Sequence, residues 1–385
     1  FLKSHLQELI PPFFSKVGNS SSYFSIKGNL KNRLEIKGEH KFPALQNLKL
    51  MHEINYFPEK AILILDRIKA DSPEWLTFTG QANIAPISPN PAFKGEGKLL
   101  LELEKLPDQV KAWFPEGVTG TGKAEFDFKV EGPIKEKNIH PLIYLWEGRG
   151  ELWADSFEYP VLGIVKNIKT REFALGKGVL KTIVEGQLND GPAEIECRID
   201  FTPKSPLLNL TAGGKDINLS REQKILNYIL PFSAQSTQFT GKGSFSIETT
   251  SQGTRWKEEI SHNITGKGLL NITEGTIQSP EGLSPILNFL GRSETLHFDR
   301  IYAPFRIGNG KIYNDSIRIT GEDIELELKG WTSLVYDPKK RGNPIEYQIM
   351  EESIKKATGK GVEKILPFFG LETNLPVYIT GTVQK

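Results

Sequence analysis

The sequence is dominated by short segments in which apolar and polar residues alternate with a period of two. In residues 193–201 the apolar positions are Ile195, Cys197, Ile199 and Phe201. Residues 124–130 and 324–330 alternate in the same way. Because successive side chains of a strand point to opposite faces of a sheet, each segment is predicted to be a strand with one apolar and one solvated face. This pattern favours antiparallel sheet over a parallel sheet that is covered on both sides.

Shorter alternating segments and a few helix signals complete the pattern. Residues 23–27 and 34–37 are separated by a polar turn and are predicted to form a hairpin. Further turns are predicted at Glu274-Gly275 and at Gly308-Asn309-Gly310. Helix signals are brief, and most of them end at proline. The predicted helices are residues 5–10, 108–114, 221–230, 283–290 and 345–366. The helix at 221–230 follows Ser220, a favourable N-cap, with Gln223 at the third helical position.

An aromatic-proline motif recurs at the ends of these helices and indicates an internal repeat. The copies are residues 10–14, 112–117, 229–232 and 365–370, and each leads through a polar turn to a predicted strand. The intervals between copies are unequal, so the pattern indicates duplication with insertions. The alternative, that such helix ends recurred by chance, is left open by the sequence.

Length and composition limit the classes of protein that need to be considered. A chain of 385 residues is compatible with one long β architecture or with two domains. Its 48 Lys and Arg residues balance 47 Asp and Glu residues, so no electrostatic footprint for nucleic acid is visible. A single Cys excludes a disulfide framework or a Cys-based metal cluster. The apolar run at 61–65 is too short to span a bilayer, so any membrane anchor is expected to lie outside this sequence.

The motifs that suggest enzymatic chemistry are incomplete or occupy unsuitable positions. Residues 117–123 match part of a phosphate-binding loop, but Ala124 replaces the magnesium-binding hydroxyl, and a predicted strand follows in place of a helix. The six His residues are scattered singly without metal-ligand spacing. Cys197 occupies an inward strand position and is interpreted as an inert small hydrophobe. We therefore expect no catalytic residues, no cofactor and no metal.

Residues 266–330 combine a Gly-x-Gly strand opening at 266–275, the predicted helix at 283–290, and a segment that ends in Arg306-Ile307-Gly308-Asn309-Gly310. Residues 317–321 and 324–330 follow as further predicted strands. Together these features resemble the C-terminal region of the AsmA-like family of bacterial envelope proteins, and the resemblance continues to the C-terminus. The resemblance implies a mainly β fold: an elongated, twisted, mostly antiparallel sheet bent into an open hydrophobic groove, with a few short helices. It also implies two regions, repeated groove segments over 1–260 and an AsmA-like region over 261–385 that continues the same sheet.

The function expected from this resemblance is passive binding and transfer of phospholipid in the periplasm of Gram-negative bacteria. The lipid would pass between the inner and outer membranes, and the inner-membrane anchor would lie outside this sequence. The alternating pattern is independently compatible with this function. Apolar strand faces with few helices to cover them must be covered either by a second sheet or by acyl chains. Candidate lining residues are Phe126, Phe128, Val130, Ile195, Ile199, Phe201, Phe245, Ile247, Leu326 and Leu328. For each of them the competing interpretation is ordinary core packing.

Two other functions are weighed against lipid transfer. One is an envelope scaffold with a closed, dry β core that assists outer-membrane assembly through its edge strands. The other is a hydrolase acting on glycans, for which Trp146, Trp153, Trp256 and Trp331 are the only hint. The hydrolase is disfavoured because no pair of carboxylates can be singled out.

Overall fold

The protein is mainly β, and its strands form antiparallel sheet that is not closed on itself. The computed structural model describes residues 20–29, 31–87, 91–112, 114–134, 145–220, 223–230, 238–253, 259–278, 295–322, 324–350 and 377–383. Strands account for 73% of these residues. The fold class predicted from the alternating pattern is therefore confirmed at the level of open antiparallel sheet with a few short helices.

The chain divides into two compact units. The first comprises Phe1–Phe157 and Asn167–Thr182, and the second comprises Glu158–Lys166 and Ile183–Lys385. The division between 260 and 261 was drawn from the family resemblance, and it stays a prediction.

In the first unit, strands β1 to β7 pair in chain order, each antiparallel to the next. Their bounds are β1 Ser21–Asn29, β2 Arg33–Phe42, β3 Leu48–Phe57, β4 Ile62–Ser72, β5 Leu76–Ile84, β6 Ala92–Glu102 and β7 Thr119–Pro133. Single-turn 3-10 helices follow β2, β3 and β6. They are Pro43–Leu45, Pro58–Lys60 and Leu103–Lys105. The helix predicted over 108–114 is a single turn, α1, at Asp108–Lys111.

Strands β8, β9 and β10 each contribute residues to both units. They are β8 Glu147–Tyr159, β9 Gly163–Gly176 and β10 Val179–Leu188. In the second unit, strands β11 to β19 pair antiparallel in chain order. Their bounds are β11 Gly191–Asp200, β12 Leu207–Ser220, β13 Gln238–Gln252, β14 Thr265–Gln278, β15 Thr295–Gly308, β16 Lys311–Gly321, β17 Ile324–Ser333, β18 Asn343–Ile349 and β19 Val377–Val383.

Two short helices lie between strands of the second unit. They are α2 Leu226–Ile229 and α3 Ser261–Asn263. The first is shorter than the helix predicted over 221–230, and its N-cap is Ile225 in place of the predicted Ser220. The Ser220 N–H does donate to the Gln223 side-chain oxygen at 3.3 Å, but ahead of the helix. The predicted helices at 5–10 and 283–290, and residues 351–366 of the helix predicted over 345–366, lie outside the described residues.

Two local predictions are wrong for physical reasons. Residues 345–349 begin a predicted helix but form β18, because Ile345, Tyr347 and Ile349 alternate and pair with β17. The turn predicted at Glu274-Gly275 is a bulge inside β14: Glu274 has φ +51° and the strand runs on to Gln278.

By contrast, the turn between β15 and β16 is where the sequence placed it. Asn309 and Gly310 both have positive φ, as a two-residue type I′ hairpin requires.

The second unit has a buried core on one face of its sheet. The cluster joins the apolar residues of β13 to β18 with Leu226, Ile229 and Leu230 of the α2 region. Ile272, Ile301, Ile317, Ile319 and Leu328 are all 0% exposed. Each Å² of apolar surface removed from water contributes about 25 cal/mol to the free energy of folding, so this burial stabilises the second unit.

Candidate functional site

The strand registers of the first unit place apolar side chains on one face of the sheet across seven strands. Register pairs such as Ile26–Ile36, Phe78–Leu99 and Leu99–Phe126 carry the pattern from strand to strand. We call this surface the first apolar face. Its larger members are Phe24, Ile26, Leu34, Ile36, His40, Leu50, His52, Ile54, Tyr56, Leu63, Leu65, Ile68, Leu76, Phe78, Ile84, Phe93, Leu99, Leu101, Phe126, Phe128 and Val130. A bulge at residues 66–67 keeps Leu65 and Ile68 on this face.

Glycines on the first apolar face allow aromatic rings to lie flat against the sheet. The rings of Phe78 and Phe128, from β5 and β7, stack with centroids 6.3 Å apart across the intervening β6. They meet above Gly97, where a Cβ atom would lie 2.8 Å from the Phe78 ring and 3.0 Å from the Phe128 ring. Phe126 continues the row, 5.6 Å from Phe128. The rings of Phe78, Phe126 and Phe128 together form a continuous aromatic surface on the sheet, which we call the aromatic floor.

This face is only half-buried within the described part of the first unit. Leu99, Phe126, Phe128 and Val130 are all intermediate in exposure, and Phe24 is 61% exposed. Among the described elements, extensive contacts with β1 to β7 come from their neighbours in the sheet and from the Leu103–Lys105 turn against β7. The face therefore has no described second layer comparable with the core of the second unit.

Burial in this unit is concentrated at one end of the strands, where the β2–β3, β4–β5 and β6–β7 connections meet. Leu45 is 0% exposed, Leu103 is 2% exposed and Trp75 is 4% exposed. The Trp75 indole N–H donates to the Leu45 carbonyl at 3.2 Å, which ties two of these connections together. The first apolar face is thus closed at one end by packed loops.

At the opposite end of the strands, residues of β4 to β9 in this unit line a cleft of 720 Å³. Its lining includes the apolar residues Leu65, Ala82, Val130 and Leu175, but also charged residues of the opposite, polar face, such as Lys94 and Glu131. A volume of this size is within the range of about 300–1,000 Å³ that is typical of ligand sites.

The other face of the first unit is polar and is covered by ion pairs between neighbouring strands. Lys37 and Glu53 lie 3.1 Å apart, and Lys94 and Glu131 lie 2.9 Å apart. The Lys94 ammonium group gains a raised pKa, chiefly from its hydrogen bond to Glu131. This solvated face lies on the opposite side of the same strands from the first apolar face.

Two histidines interrupt the first apolar face. His40 on β2 and His52 on β3 are diagonal neighbours, and their Nε2 atoms lie 3.1 Å apart. Sequence reasoning treated the six histidines as isolated and missed this pair. The contact can be recognised only from the register of β2 and β3. The pairing of Phe42 with Leu48 places His40 opposite Leu50 and His52 opposite Gly38, which makes the two histidines diagonal neighbours.

The predicted lining residues are distributed over both units. Phe126, Phe128 and Val130 lie together on the first apolar face. In the second unit, Leu326 and Leu328 are 3% and 0% exposed and belong to the core. Phe245 and Ile247 are partly buried against that core.

The remaining predicted lining residues belong to β11 or follow it. Ile195 is 42% exposed and Ile199 is half-buried, while Phe201 follows the end of the strand. Cys197 lies between them on the apolar side, opposite Leu210, and burial raises the pKa of its thiol, in accord with an unreactive residue.

Comparison of the chain with protein-family models, with curated proteins and with solved structures finds no match. Within the described ranges, no group of three or more His, Cys, Asp or Glu side chains is placed to hold a metal ion. None of the described helices is long and apolar enough to cross a bilayer.

Proposed function

We propose that the chain binds the acyl chains of lipids along the first apolar face and passes them on without chemical change. The observation that carries this proposal is an apolar face seven strands wide that is left half-buried, although a face of this size is normally covered. Exposed apolar patches larger than a few hundred Å² usually mark binding surfaces.

The dimensions of the face support an acyl ligand. Five same-face positions along a strand span about 26 Å, and seven adjacent strands span about 29 Å. The hydrocarbon of one membrane leaflet is about 15 Å thick, so a single acyl chain would be accommodated within the face. Burial contributes up to about 0.8 kcal/mol per methylene, and less where only one side of the chain touches protein.

The alternation of the sheet supports a passive mechanism. Apolar side chains and flat rings repeat from strand to strand, so neighbouring positions offer similar burial to a hydrocarbon chain. Similar energies at successive sites allow movement without a large barrier. The headgroup would stay in water at the rim, and neither a cofactor nor a covalent step is needed.

Transfer between bacterial inner and outer membranes in the periplasm is the cellular setting that we propose for this binding activity. It depends on the resemblance of residues 266–330 to the AsmA-like family. The membranes themselves are the partners implied, and the inner-membrane anchor would lie outside this sequence.

A photo-crosslinking experiment tests the proposal directly. The photoreactive residue p-benzoylphenylalanine is introduced at Phe128, on the first apolar face, and at the adjacent Lys129, on the polar face of the same strand. Purified protein is exposed to vesicles that contain radiolabelled phosphatidylethanolamine and is then irradiated. We expect labelled adducts at position 128 and background labelling at 129. Equal labelling at both positions, together with no lipid in solvent extracts or native mass spectra, would contradict the proposal.

The scaffold alternative has one observation in its favour, the closed core of the second unit. Leu326 and Leu328 were candidates for the groove but are fully packed. If Phe128→Ala removes lipid binding and the cell envelope still assembles normally, the scaffold function is favoured over lipid transfer.

A further inference from the structure

The histidine pair on the first apolar face is held by contacts on three strands. His40 and His52 are stacked with ring centroids 5.2 Å apart. Phe24 of β1 packs edge-on against His40 at 5.2 Å. The Ser22 hydroxyl lies 2.8 Å from His40 Nδ1. Gly38 makes room for the pair, because a Cβ atom at that position would collide with the His52 ring.

The contact between the two Nε2 atoms limits how many protons the pair can hold. At 3.1 Å one Nε2–H donates to the other, unprotonated Nε2. The pair can therefore be neutral or carry one positive charge. With two charges, both Nε2 atoms carry hydrogens that face each other, and the rings must separate.

The surroundings of the pair offer little compensation for charge. The side chains that face it are Ser22 and Phe24 of β1, Phe42 of β2, Leu50 and Ile54 of β3, and Ile68 and Ala70 of β4. No carboxylate or cationic side chain faces the pair from the described parts of β1 to β4. The charged residues of these strands, such as Lys37 and Glu53, are paired with each other on the opposite face. His52 Nδ1 is buried without a hydrogen-bond partner among the described contacts.

The direction of the titration agrees with this geometry. Burial lowers the pKa of His40, and burial together with the neighbouring His40 charge lowers the pKa of His52. Free histidine titrates at about 6.5. Below that value the unfolded chain binds more protons than the folded one, so acidification costs stability until the folded pKa values are also passed.

We propose that the His40–His52 pair makes acyl-chain binding to the first apolar face dependent on pH. The neutral pair leaves the face apolar. A first proton places charge on the β2–β3 part of this face, and a second proton would also force the rings apart. Either change disfavours a hydrocarbon chain at that position. This inference rests on the proposed lipid-binding function and names a regulator of the same surface.

The test uses the full chain and a fluorescent lysophosphatidylcholine, whose headgroup charge is constant between pH 5 and 8. Binding is measured by fluorescence at pH 7.5 and pH 5.0 with EDTA present, and circular dichroism checks the fold at both values. We expect affinity to fall about tenfold or more at the lower pH. The double variant His40→Phe, His52→Phe keeps rings of similar size but cannot be protonated, and it should bind equally at both values. The control His297→Phe, on the solvated side of β15, should behave like the wild type.

The outcomes separate this inference from the function on which it rests. Binding with the same affinity at both pH values, or pH dependence that persists in the double variant, overturns the histidine switch and leaves lipid binding standing. No binding at either pH overturns both. If the dependence appears only when EDTA is omitted and zinc is added, the pair is a metal site and the switch is wrong.

Discussion

The two units build the same kind of apolar sheet face but use it differently. In the second unit, Ile301, Ile317 and Leu328 are completely buried, and residues around α2 pack against them. In the first unit, the equivalent inward positions of β5 to β7 are half-buried. The strands themselves are alike, since both units place glycines beneath aromatic rings, such as Gly268 beneath Phe305 and Gly97 beneath Phe78. The difference therefore lies in what covers the face.

The sharpest test of this comparison is a matched pair of leucine truncations. Leu328→Ala removes a side chain that is 0% exposed, and it should destabilise the protein by about 2–5 kcal/mol. Leu99→Ala, on the half-buried first apolar face, should lower the free energy of unfolding by only about 1 kcal/mol, because the site is already partly hydrated. Urea unfolding followed by circular dichroism measures both. Equal losses would mean that the first apolar face is an ordinary core.

The second prediction concerns a buried polar cluster that is specific to the second unit. The Tyr347 hydroxyl donates to Asn314 Oδ1 at 2.7 Å and lies 3.1 Å from the Thr332 hydroxyl. Burial also raises the pKa of Tyr347, so the phenol stays neutral and remains a donor. Tyr347→Phe leaves Asn314 Oδ1 without its donor, while Asn314 Nδ2 still donates to the Pro304 carbonyl. The substitution should lower the free energy of unfolding by about 1–3 kcal/mol.

The matched control for this prediction is Tyr56→Phe on the half-buried first apolar face. Its expected effect in the same unfolding assay is well below that of Tyr347→Phe. An equally large loss at position 56 would show that polar burial does not distinguish the two units.

The contrast in burial between the two units also shows which features of the fold could be predicted from the sequence. Alternation at 124–130 and 324–330 correctly identified strands and their apolar sides. It could not tell that Phe128 would be half-buried and Leu328 fully buried, because the period of two is identical and the covering elements are distant in the chain. The His40–His52 contact was missed because it depends on the register of β2 and β3. The start of the helix predicted over 345–366 was wrong, because residues 345–349 pair with β17 and this pairing overrode local propensity.

The third prediction tests the aromatic floor itself. Gly97→Ala places a Cβ atom 2.8 Å from the Phe78 ring and should push the Phe78 and Phe128 rings apart. Stability should change by less than about 1 kcal/mol, because the rings can move and alanine reduces the entropy of the unfolded chain. Affinity for the fluorescent lysophosphatidylcholine should fall several-fold. Gly308→Ala is the control, since nothing lies within 4 Å of its added Cβ atom; equal affinities in the two variants would argue against a binding role for the rings.

The smallest effect is expected on the polar face of the first unit. Lys129 pairs with Glu96 at 2.5 Å, and both side chains are substantially exposed, at 60% and 39%. Exposed ion pairs contribute little and are screened by salt. Lys129→Gln should therefore leave stability nearly unchanged. It should also leave lipid affinity unchanged, although the neighbouring Phe128→Ala is expected to reduce it, because adjacent residues of one strand serve opposite faces. A loss of affinity in Lys129→Gln that disappears at high salt would mean that lipid is held through its headgroup by the charged face, and the assignment of the two faces would have to be reversed.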